Sequence, residues 1–143
     1  MKSKYLIEIF KYWCGRLGLK NNFQITKDNR YDCHVAVVDY DTPTSRLIYN
    51  AKKLGRWNKA LITCAVFHEI GHLLNRLPYV TDEEIIYSEL RAEMFALTML
   101  KQFYPKYYKI NNEHSKKKLQ SRLWCKKERL HAEAFKQIKE YLC

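Results

Sequence analysis

No stretch of this 143-residue chain is long and apolar enough to span a bilayer, so no membrane segment is expected. The opening residues begin like the charged region of a secretory leader, but Glu8 and Lys11 break the apolar run too early for one. Paired cysteines are missing as well. Cys14, Cys33, Cys64, Cys125 and Cys143 are odd in number and form no close pair, which argues against a disulfide framework and for reduced thiols in a cytoplasmic setting. Internal repeats and low-complexity linkers are absent, leaving a single domain over residues 1–143. Acidic residues are scarce, with 15 Asp+Glu against 26 Lys+Arg. The deficit is uneven, because residues 101–143 hold 12 basic and only 4 acidic side chains. What is abundant is apolar surface: 47% hydrophobic and 14% aromatic residues exclude a disordered chain and allow a real core.

The apolar residues have readable periods. Leu6, Ile9, Phe10, Trp13 and Leu17 recur at spacings of three and four, which predicts an amphipathic helix over residues 3–19, ended by Gly18 and the pair Asn21 and Asn22. Residues 23–26 alternate like a short strand, and residues 33–40 are β-branched and mostly apolar. Asp41, Thr42, Pro43 and Thr44 supply turn chemistry, after which residues 46–50 return as a third strand. A small antiparallel sheet is expected, with residues 46–50 as an edge able to align an extended substrate. Asn50 and Asn58 fit helix caps, the second opening a helix that stops before Pro78. Thr81 to Glu84 form a capping-box pattern for another helix, running to about Phe103. Residues 106–110 show no settled period. Asn111 and Asn112 are then expected to cap a last helical region, whose apolar positions include Leu119, Leu123, Trp124 and Leu130. The expected class is α+β, with a core over 1–104 and a basic helical portion over 105–143.

Within the helix that follows Asn58 stands H-E-x-x-H, at His68, Glu69 and His72. Four residues apart on a helix, the two imidazoles share a face and can grip one metal ion. Glu69 is rotated by about 100° and borders that face, where it can serve as general base. The flanking Ala65, Val66, Phe67, Leu73 and Leu74 are apolar, so the polar trio occupies positions that are costly without a task. A catalytic zinc site needs a third protein ligand and an open position. Glu89 and Glu93, themselves four apart on the next helix, can both face the motif. The residues alone leave the choice between them open. Tyr87 is one candidate hydrogen-bond donor to a transition state, alongside Tyr79, His114 and His131. Cys33 and His34, adjacent on one strand, cannot point to the same face and are left out.

These two segments, His68 to Leu74 and Glu89 to Ala96, resemble the ImmA/IrrE family of metallopeptidases. Members of that family typically show H-E-L-G-H and then E-x-x-A-N-x-F-A. The resemblance covers residues 46–100 and includes Ala92, Phe95 and Ala96 in place. The chain departs from the pattern at Glu93, where asparagine is usual, and over residues 98–101, where L-L-M-P often follows. The resemblance implies a zincin-like core in which a small sheet packs on the two motif helices. It also aligns the first glutamate with Glu89, making Glu89 the third zinc ligand. Glu93, one turn further along, is then placed to accept a hydrogen bond from the free ring nitrogen of a zinc histidine, an arrangement similar to that of thermolysin-like enzymes. A cytoplasmic, site-specific zinc endopeptidase that cleaves a regulatory protein, such as a transcriptional repressor of a phage or mobile element, is the implied function.

A second expectation comes from charge. Basic and aromatic residues interleave at Lys106, Tyr107, Tyr108 and Lys109, and again at Arg122, Trp124 and Lys126. They fit a nucleic acid or another anionic partner, and with it a zinc-stabilised binding protein that catalyses nothing.

Overall fold

The helix bearing H-E-x-x-H is apolar on nearly all sides, and the other elements close around it. A computed structural model of the chain describes residues 1–19, 23–38, 45–74 and 82–122, with side chains described except at 82–87 and 114–122. Among these residues the order is α1 (Lys2–Arg16), β1 (Gln24–Lys27), β2 (Val35–Val38), β3 (Arg46–Tyr49), α2 (Ala51–Leu54), α3 (Lys59–Leu74), α4 (Asp82–Phe103) and α5 (Pro105–Arg122). The architecture is mixed α+β. Ala60, Ile62, Thr63, Cys64, Val66, Phe67, Ile70, Gly71, His72 and Leu73 of α3 are all buried. A helix so apolar all round belongs in the interior. It meets α1, α4, α5 and β2.

α1 lays Leu6, Ile9, Phe10, Trp13 and Cys14 on that core, the face its period predicts. It stops at Arg16, and Gly18 then takes a left-handed φ of 70°, as a chain-reversing glycine can. The Trp13 ring meets Phe67 edge-on at 5.1 Å, and its indole N–H donates to Tyr104 Oη at 3.2 Å, tying α1 to both α3 and the start of α5. Asn58 caps α3 as expected, its Oδ1 accepting from the Leu61 N–H at 2.9 Å.

The sheet differs from expectation in two respects. It is mixed rather than antiparallel, and its order is β1-β3-β2. β3 pairs parallel with β1 and antiparallel with β2, so residues 46–49 form the central strand and have no free edge to offer a substrate. The cause lies in residues 28–34, which carry the chain over the end of β3 from one edge to the other. The Asp28 N–H donates to the Tyr49 carbonyl on the β1 side, and the Asn50 N–H donates to the His34 carbonyl on the β2 side. The buried Asn50 side chain fastens this crossing. Its amide donates to the carbonyls of Asn29 and Tyr31 at 3.1 and 2.9 Å, while its Oδ1 caps α2 through the Lys53 N–H at 3.0 Å.

α5 also revises the sequence reading. It begins at Pro105, a residue suited to the first helical position, and passes through 106–110 without a break. Asn111 is no cap. Buried inside α5, it donates from its amide to the Ala60 carbonyl at 2.8 Å, fixing α5 to the first turn of α3. The turn expected at 41–44, the capping box at Thr81 and the apolar positions after Arg122 lie outside the described residues. No helix among the described residues is long and apolar enough to cross a membrane.

Candidate metal centre

His68 and His72 stand one turn apart on α3, ring centroids 4.8 Å from each other and nearly perpendicular. Their Nε2 atoms converge to 3.1 Å. Glu89 reaches across from α4 to the same point, Oε2 lying 2.9 Å from His68 Nε2 and Oε1 3.1 Å from His72 Nε2. Three donor atoms from the two helices thus lie within 4.8 Å of one another and could hold a metal ion. The spacing suits a small divalent ion. Two nitrogens at about 2.0–2.1 Å from a tetrahedral zinc stand roughly 3.3 Å apart, close to the separations found. Two imidazoles with one carboxylate is also a donor set that zinc takes readily.

The outward nitrogens of both rings are engaged. His68 Nδ1 lies 2.7 Å from Glu93 Oε2, and His72 Nδ1 lies 3.2 Å from Ser88 Oγ. With Nδ1–H directed at Glu93, the His68 Nε2 lone pair is turned toward the converging donors. Glu93 is itself contacted by the buried Cys64 thiol, 3.8 Å from its Oε1. Burial disfavours the His68 imidazolium, but the Glu89 and Glu93 carboxylates outweigh it and push the His68 pKa well above its ordinary value. Partial burial of Glu89 acts to raise its pKa; the two histidines overcome this and hold it far below the usual carboxylate range.

Glu69 borders this face as the 100° rotation predicts, and it meets the sheet there. Its Oε2 accepts from the Val37 N–H of edge strand β2 at 2.9 Å. Burial raises the Glu69 pKa, opposed by His68 and by the Val37 N–H. In the 28–34 crossing the Tyr31 phenol pKa is raised by burial first, and then by Cys33, Glu69 and Asp32.

The structure therefore brings His68, Glu69, His72, Glu89 and Glu93 together. The Tyr87 side chain, along with Tyr79, His114 and His131, lies outside what is described. His34 stacks on Trp57 at 3.7 Å. Sequence reasoning missed Ser88 and the Val37 N–H. Ser88, next to Glu89, was within reach of it; a backbone donor on a facing strand carries no sequence signal. No family model, curated protein or solved structure matches this chain.

Proposed function

We propose that the chain is a cytoplasmic zinc-dependent endopeptidase of zincin-like architecture, cutting a regulatory protein such as a repressor of a mobile element. One observation carries this reading: a partly buried carboxylate, Glu69, stands beside a cluster of two imidazoles and a carboxylate that fits zinc. A site that only stabilised the fold would have no use for an extra acid withdrawn partly from water, which is costly to hold there. His68, His72 and Glu89 would hold the ion. When bound, zinc supplies a Lewis acid that polarises a peptide carbonyl and makes a water more acidic.

The remaining work falls to the chain. Val37 N–H fixes Glu69 Oε2, leaving Oε1 to take the proton of the attacking water and deliver it to the leaving amine. Burial, by raising the pKa of Glu69, makes it a stronger base than an exposed glutamate. Glu93 and Ser88 hold the His68 and His72 rings in orientation. The sequence offers Tyr87 as a donor to the developing oxyanion.

The test is chemical. Purified protein should contain about one zinc per chain and cleave candidate repressors; a chelator should stop cleavage and added zinc restore it. Protein that carries no zinc and takes none up contradicts the reading.

The basic excess over residues 101–143 favours a second reading, a zinc-stabilised protein that contacts nucleic acid through that portion. DNA binding with a steep salt dependence, flattened by neutralising Lys116, Lys117 and Lys118 without change in zinc content, supports it when no protein is cleaved.

A further inference from the structure

The two helices of the metal centre touch closely at a point that bears no functional group. A methyl added at Gly71 would stand 2.9 Å from Ala92 Cα and 3.1 Å from the Ala92 carbonyl oxygen. Ala92 is itself small and 1% exposed. This contact sits in a repeated frame. Gly71 lies three residues after His68 and one before His72; Ala92 lies three residues after Glu89 and one before Glu93. Each helix therefore places one functional side chain a turn before the contact and another immediately after it. The four side chains bracket the crossing and meet above and beside it.

We infer that Gly71 and Ala92 are positioning residues: their backbone approach sets the α3–α4 distance at which His68, His72 and Glu89 share one ion. The inference rests on the proposed metal site and not on proteolysis. Magnitude decides whether a methyl matters. Ordinary contact between carbons begins near 3.5 Å, so alanine at position 71 requires the helices to part by roughly 0.6 Å. A metal site tolerates about 0.2 Å in its ligand distances. No side chain can yield instead, because the atoms met are backbone. The His68 ring also meets Glu93 of α4 through Nδ1 at 2.7 Å, so a separation strains that bond together with the span from His68 to Glu89.

The test uses cobalt(II) as the probe, with its visible absorption reporting coordination and a competing chelator reporting affinity, at a temperature where circular dichroism shows each variant folded. Gly71→Ala should weaken cobalt binding by at least about tenfold and alter the band pattern, as loss of a ligand or its orientation does. Ala92→Val presses on the same crossing from the other helix and should do likewise; where Gly71→Ala does not fold, Ala92→Val decides. Ala96→Val overpacks a buried site one turn along α4, outside the bracket, and should cost stability while keeping affinity and spectrum. Parental affinity and spectrum in Gly71→Ala overturn the inference. So does an equal loss in Ala96→Val, which would show general overpacking as the cause. If the chain binds cobalt this way yet cleaves nothing, the peptidase reading fails and the positioning role stands.

Discussion

Both ring nitrogens of His68 face carboxylates of α4, but the two carboxylates have different tasks. Glu89 meets the Nε2 atoms of both histidines, whereas Glu93 meets only Nδ1 of His68. Glu89→Ala should remove most zinc affinity. Glu93→Ala should weaken affinity or activity by about ten- to a hundredfold and leave a detectable site, measured by metal titration. Proton linkage follows from the same contacts. The folded His68 pKa is raised, so its contribution to the stability of the metal-free protein is full below about pH 6.5 and is lost as pH rises through the folded value. Glu89 is depressed, so its contribution is present above about pH 4.3 and is lost as pH falls through its folded value. Metal requires His68 Nε2 without its proton. Zinc uptake near neutral pH should therefore release about one proton, and affinity should fall as the solution is acidified. Calorimetry in two buffers of different ionisation enthalpy measures this; identical heats would mean that His68 enters the site already neutral.

At the level of elements, the 28–34 crossing is what puts β2, and with it the Val37 N–H, against Glu69. Asn50 holds that crossing by two side-chain hydrogen bonds and caps α2 by a third. Asn50→Ala should cost about 2–3 kcal/mol in denaturant unfolding, the loss of a cap together with bonds to two carbonyls. An unchanged midpoint would place the fastening elsewhere. The sequence showed part of this arrangement. The period of α1, the apolar flanks of the motif in α3 and the caps at Asn50 and Asn58 were legible because each is set within a few neighbouring residues. The central place of β3 was not, since β2 and β3 read as a hairpin whether or not another strand lies on the far side. Asn111 looked like a cap because its partner, Ala60, is 51 residues away. His68, Glu69 and His72 could be read from one helix. Periodicity left Glu89 and Glu93 open and the resemblance chose Glu89, which the structure groups with both histidines.

In the whole molecule, α3 lies in the hydrophobic core and carries Glu69 and the two histidines, so the site inherits the rigidity of a largely buried helix. Two imidazoles face three carboxylates there, Glu69, Glu89 and Glu93, and most of the excess positive charge of the chain lies away from them in sequence. Such a centre can bind zinc with or without doing chemistry, and only Glu69 separates the two cases. Glutamine at that position keeps the shape and can still accept from the Val37 N–H, but it cannot take a proton. The decisive measurement compares parent and Glu69→Gln for zinc content and for cleavage of the same repressor substrate. Full zinc content with cleavage reduced by at least about a hundredfold is the expected result; cleavage at the parental rate would contradict a general-base role for Glu69 and the peptidase mechanism with it.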